Sequence, residues 1–161
     1  MPQSKTKTQF KKLTAEDIAY FESIMDPERV LTGEDISEDF ARDEMTEYGT
    51  FDPEVVLTVL STEEVSKIMA YCYEHTIPVT PRGAGTGLCG GCVPIHGGVV
   101  LNLAEMDRLL EVDPINMTAT VEAGLLLMEF AKLLEGSGFF YPPEPGEKSA
   151  TVCGNIMTNA G

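Results

Sequence analysis

The apolar positions of this chain change period from one stretch to the next. Ile18, Phe21 and Met25 recur at helical spacing behind Thr14-Ala15-Glu16-Asp17, an N-cap followed by acids in the first turn, and predict a packing helix. Val55-Val56-Leu57-Thr58-Val59-Leu60 is β-branched and almost wholly apolar, the pattern of a strand buried on both faces. Ser61-Thr62-Glu63-Glu64 is a capping box and opens a helix whose apolar face is Val65, Ile68, Met69 and Cys72. Ile77-Pro78-Val79-Thr80 predicts a second strand, returning beside the first to make a βαβ unit.

Further on, residues 99–103 and 109–112 predict strands, and Met117-Thr118-Ala119-Thr120-Val121-Glu122-Ala123 alternates as a half-buried strand does, with Gly124 ending it. A last helix carries Leu127, Phe130, Ala131 and Leu134 on one face and closes at Gly136 and Gly138. Met117, Met128 and Met157 are sited like core filler. Residues 33–51 are acidic and irregular, and residues 1–12 form a polar, mobile arm. The chain thus divides into a basic arm (1–12), a helical and irregular segment (13–54) and a domain over 55–161.

A chain of 161 residues with 43% hydrophobic content buries one domain's core. Eleven basic against 26 acidic residues give a net charge of −15, and Lys5, Lys7, Lys11 and Lys12 all lie in the arm. So acidic a body repels phosphate backbones and anionic lipid, which excludes nucleic-acid and membrane-surface binding by it. The acidity reads as solubility, with docking of a basic partner as the other reading. No apolar stretch follows the lysines to make a secretory signal, and none nears the ~20 residues of a membrane span. With four sparse cysteines, the expected compartment is the cytoplasm.

The chemistry concentrates at Pro81-Arg82-Gly83-Ala84-Gly85-Thr86-Gly87-Leu88-Cys89-Gly90-Gly91-Cys92, which holds five glycines in nine positions directly after a predicted strand. Glycines let successive backbone N–H groups converge, and such a nest binds an anion such as a pyrophosphate. Gly85-x-Gly87-x-x-Gly90 satisfies the spacing of a dinucleotide fingerprint. That fingerprint must open a helix, however, and Gly90, Gly91, Pro94, Gly97 and Gly98 forbid one before the next strand. A Walker loop fails because no Lys-Ser or Lys-Thr closes the run. A tight connection without a ligand is the plain alternative. Cys89-x-x-Cys92 admits metal or redox chemistry, but Cys72 and Cys153 stand singly, so small side chains beside a phosphate loop are the simpler reading.

Three segments in order, residues 77–87, Tyr141-Pro142-Pro143-Glu144-Pro145-Gly146 and Thr151-Val152-Cys153-Gly154-Asn155-Ile156-Met157-Thr158-Asn159-Ala160-Gly161, resemble the FAD-binding domain of the vanillyl-alcohol oxidase type flavoproteins. Within it, the chain is most similar to the glycolate oxidase and D-lactate dehydrogenase branch of FAD-linked 2-hydroxy-acid oxidoreductases, from about Val55 to Gly161. The resemblance implies an α+β fold: the first α/β subdomain of that FAD-binding domain with the start of the second. It implies FAD as cofactor and oxidation of a small 2-hydroxy acid by hydride transfer to flavin N5. In a full-length form it implies the hydroxy acid and an electron-acceptor protein as partners. A fold unit that binds no FAD is the alternative.

By the same resemblance the pyrophosphate is held by Pro81, Arg82, Gly83, Ala84, Gly85, Thr86, Gly87 and Leu88, with Gly90 and Gly91 nearby. Arg82 admits two roles, neutralising a phosphate or pinning the loop by bonding carbonyls. Pro143 and Glu144 belong to a stiff cofactor wall. The longer Glu144 stands where relatives place Asp, which leaves its role open. Ser149, Ala150 and Thr151 approach the isoalloxazine side, and Gly154, Asn155, Thr158 and Asn159 line the cofactor's middle. Cys153 stands where glycine is usual, and a positive φ there would weaken the site. His75 and His96 match no catalytic position of the family, so no catalytic residue is expected here. Relatives continue past the Asn159-Ala160-Gly161 motif, so the sequence predicts a domain truncated at its C-terminal end.

Overall fold

The computed structural model describes residues 9–143 and 145–160. Most of the expected basic arm, Glu144 of the proline segment and Gly161 lie outside the described residues.

Helix α1, Ala15–Ile24, starts where the sequence places it. The Asp17 carboxylate accepts from the Thr14 N–H at 2.8 Å and the Thr14 hydroxyl at 2.7 Å. Fully buried, it also takes Lys11 Nζ at 2.6 Å and the Tyr71 hydroxyl at 2.7 Å. Burial works to raise its pKa, but these donors outweigh burial and hold it well below the ordinary carboxylate value. Tyr71, half-buried and facing that anion, is pushed up to about 12. Residues 33–51 form short single turns, as their irregular pattern predicts.

Four strands, β1 Val30–Leu31, β2 Val55–Thr58, β3 Val79–Arg82 and β4 Val99–Asn102, make one sheet in the order β1-β2-β4-β3. Strands β2, β4 and β3 run parallel, with Val55 and Val79 both opposite Val99, and β1 is antiparallel to β2. The expected neighbour relation of the first two long strands is thus corrected, because β4 lies between them. Residues 99–101 are apolar and buried on both faces, as a central strand requires, whereas Pro81 has no N–H to donate and belongs at an edge. Gly98, at φ +70°, lets β4 approach, since a Cβ there would overlap the Pro78 carbonyl.

Helix α2, Thr62–Glu74, crosses from β2 to β3, capped by Ser61, whose hydroxyl accepts from the Glu64 N–H at 3.2 Å. Ile68 and Cys72 face the sheet, with Val65 half-buried. Met69 corrects the predicted face: it lies beyond Val65 on the helical wheel and is 45% exposed.

A second unit follows. Strands β5, Leu109–Asp113, and β6, Thr118–Val121, pair as an antiparallel hairpin with a bulge near Leu109. Helices α3, Leu127–Leu134, and α4, Val152–Thr158, complete it. Its small core joins Leu125, Leu127, Phe130, Leu134 and Val152 to one face of the hairpin. Three expectations fail here. Strand β6 is mostly exposed rather than half-buried, Ala131 faces outward, and Met117, Met128 and Met157 are exposed rather than core filler. The helices pack on one face of a short hairpin, and most of the hairpin's other side chains are exposed. Among the described residues no helix is long and apolar enough to cross a membrane.

Candidate functional site

The glycine loop leaves the carboxyl end of β3, where open α/β sheets gather ligands. Two of its glycines are required by their neighbours. A Cβ on Gly83 would stand 2.7 Å from Thr151 Oγ1, and one on Gly85, at φ +78°, would overlap the Arg82 guanidinium. Arg82 itself is buried beneath the loop: Nη1 donates to the Arg42 carbonyl at 2.7 Å and to Cys92 Sγ at 3.3 Å, and the guanidinium lies 5.5 Å from the Phe40 ring centre. Burial pushes the Cys92 thiol up despite the nearby arginine, so it is held as a thiol.

Helix α4 forms the opposite wall. Thr151, buried, caps it by accepting the Gly154 N–H on Oγ1 at 3.0 Å. The Leu127 N–H donates to Ala150 O and the Val152 N–H to Leu125 O, both at 2.8 Å, which fixes the start of α4 against the start of α3. Between loop and helix lies a cleft of about 500 Å³. Of the sequence-predicted residues, Gly83, Ala84, Gly85, Thr86, Gly87, Leu88, Ala150, Thr151, Gly154, Asn155 and Thr158 come together on its lining. Cys89, Cys92, Pro145, Gly146, Glu147 and Ala160 line it as well.

The other predicted residues that are described stand off the lining. Pro81 is on the sheet edge, Arg82 is behind the loop, and the Gly90 N–H is taken by Asp43 Oδ2 at 2.7 Å. Gly91 and Pro143 are outside it, the Ser149 N–H and hydroxyl are bonded to Glu147, and Asn159 ends α4 in the left-handed region at φ 53°. Cys153 sits inside α4 with helical backbone, so the weakening expected from a positive φ does not arise.

Sequence reasoning missed two features. Asp43, buried, holds the loop's exit, and its distance along the chain hid it. Helix α4 was not foreseen, although Thr151 three residues before Gly154 is an N-cap spacing that could have marked it.

One lining residue has an unpaired atom: Asn155 is buried and its Nδ2, closed off from solvent, makes no hydrogen bond, the sole such buried side-chain atom among the described residues. The histidines are elsewhere, His75 with Nδ1 2.9 Å from Tyr71 O and His96 against Phe10. No group of three His, Cys, Asp or Glu among the described residues is arranged to hold a metal.

Residues 53–161 match the model of a family described as FAD binding domain. The chain is 49% identical to D-lactate dehydrogenase of Anaerostipes hadrus over 153 residues, covering 95% of this chain and 32% of that protein. It is 44% identical to glycolate oxidase subunit GlcD of Bacillus subtilis over 110 residues, covering 68% of this chain and 23% of that protein. Its fold resembles alkyldihydroxyacetonephosphate synthase with a TM-score of 0.80 at 19% identity, over 92% of this chain and 32% of that one. The chain therefore spans about a third or less of the length of the proteins it matches.

Proposed function

The chain belongs to the FAD binding domain family, and from that premise we propose that its cleft holds FAD for an oxidoreductase acting on a small 2-hydroxy acid of the D-lactate or glycolate type. The observation that carries the reading is the Asn155 amide. A buried donor left unpaired costs about 1–3 kcal/mol, and a turn of the Asn155 side chain toward a ligand acceptor in the cleft removes that cost. The opposite wall suits a diphosphate: Gly83, Gly85 and Gly87 carry no side chain, so their backbone can approach a ligand closely.

In this reading residues 83–87 bind the pyrophosphate, with the Thr86 hydroxyl as a further donor. Gly154, Asn155 and Thr158 hold the cofactor's middle, and Ala150 and Thr151 flank its isoalloxazine side. Arg82, Pro81, Gly90, Gly91, Pro143, Ser149 and Asn159 shape these walls from behind. FAD, when bound, supplies the two-electron acceptor; the chain's own residues grip it, orient it and exclude water. The 2-hydroxy acid, an electron-acceptor protein and a cytoplasmic setting belong to the proposal for the whole protein. Titration of the chain with FAD, followed by flavin fluorescence, tests the cofactor part, with saturable binding expected. Absence of binding would favour a fold unit without cofactor. Bleaching of bound flavin by D-lactate or glycolate, in a protein that carries this sequence at the length of its relatives, tests the substrate part.

A further inference from the structure

Three hydrogen bonds tie the glycine loop to residues 42–44, a segment 40 to 47 positions earlier in the chain. At the loop's entry Arg82 Nη1 reaches the Arg42 carbonyl at 2.7 Å. In its middle the Glu44 N–H donates to Gly87 O at 3.1 Å, and at its exit the Gly90 N–H donates to Asp43 Oδ2 at 2.7 Å. Asp43 is 6% exposed, and its other oxygen accepts the Met45 N–H at 2.9 Å. A buried carboxylate is tolerated when backbone donors satisfy it, and here each oxygen has one.

Ordering one residue costs about 1–2 kcal/mol of chain entropy, and glycine loses more freedom than any other residue. A run with five glycines in nine positions would levy that cost on whatever binds it, unless the loop is already ordered. A carboxylate suits the junction by chemistry. Two N–H groups point at this side chain, and a carboxylate offers them two acceptors, whereas an amide of the same shape turns its own NH2 toward one of them.

We propose that Asp43 is the positioning residue of the anion-binding loop. It fixes the exit at Gly90 and, with Arg82 at the entry, holds residues 83–87, which line the cleft, in place before a ligand arrives. The link to affinity rests on the FAD reading of the cleft; the ordering of the loop does not. The test compares the 161-residue chain with Asp43→Asn, well below both unfolding midpoints. The Kd for FAD is expected to rise about tenfold or more, the worth of one charge-assisted hydrogen bond. Amide hydrogen exchange should accelerate over residues 83–91 while Val56 and Val100 in the sheet stay slow. An unchanged Kd with unchanged loop exchange overturns the proposal. Equal acceleration in loop and sheet also overturns it, because Asp43 would then be a general stabiliser. If the unsubstituted chain binds no FAD, the FAD reading fails, and the exchange pattern alone decides the role of Asp43. Should Asp43→Asn not fold, exchange in the unsubstituted chain without flavin decides: slower exchange at Gly90 than at Cys89 and Gly91 supports the clasp, and equal rates overturn it.

Discussion

The two walls of the cleft come from units that hold their apolar side chains very differently. In the sheet unit Phe21, Val55, Leu57, Ile68 and Val99 are wholly buried, and the glycine loop springs from the end of one of its strands. In the hairpin-and-helix unit that carries α4, the best-buried apolar residues are few, while Ile115 is 90%, Phe140 79% and Met117 77% exposed. Segments with little buried apolar contact open locally at lower free energy than a closed core does. The loop wall is therefore the fixed half of the cleft, and the wall carrying Thr151 and Asn155 is the half that yields first.

The sharpest way to break this contrast is to truncate one side chain in each unit. Leu57→Ala should destabilise the chain by about 2–5 kcal/mol, the cost of a core cavity, while Met117→Ala should stay within about 0.5 kcal/mol. Equal shifts in urea midpoint for the two variants would erase the distinction. Next in size is Gly85→Ala. Its left-handed φ and the overlap with Arg82 should cost about 1–3 kcal/mol of stability and remove FAD binding, read by thermal unfolding with and without FAD. Normal affinity in that variant would mean that the loop can give way, and the fixed wall would lose its basis.

The smallest effect sharpens the account of the sheet unit. Because the folded-state pKa of Asp17 is depressed, its stabilisation is present in full above its ordinary value of 3.8 and is lost as pH falls further toward the folded value. The stability difference between the parent and Asp17→Asn should hold steady through neutral pH and shrink below that point. A difference that grows on acidification would reverse the sign and contradict the assignment.

What the sequence made legible follows the same division. The helix starts at Thr14 and Ser61 and the doubly buried strands could be read because capping and periodicity are local. The order of the strands could not: that β4 inserts between β2 and β3 depends on which strand can tolerate an edge, a choice in which Pro81 weighed more than adjacency in sequence. The methionines were misread because their spacing marks an apolar face without saying whether anything covers it. At the site, three separated motifs pointed to one cleft, and twelve of their residues meet there. Asp43 escaped because a carboxylate in an acidic, irregular stretch looks like any solvated one until the fold brings Gly90 onto it.

Resonance assignment of the labelled chain followed by titration with FAD tests the central claim most directly. Backbone amides of residues 83–87 and 151–155 should shift together and saturate at one concentration. The Asn155 side-chain amide, unpaired without ligand, should show a large displacement as it gains an acceptor. Amides on the far side of the sheet unit, such as those of α1, should stay in place. Saturable shifts that leave Asn155 and the glycine loop unmoved, or no shifts at all, would contradict a cleft built for FAD between them.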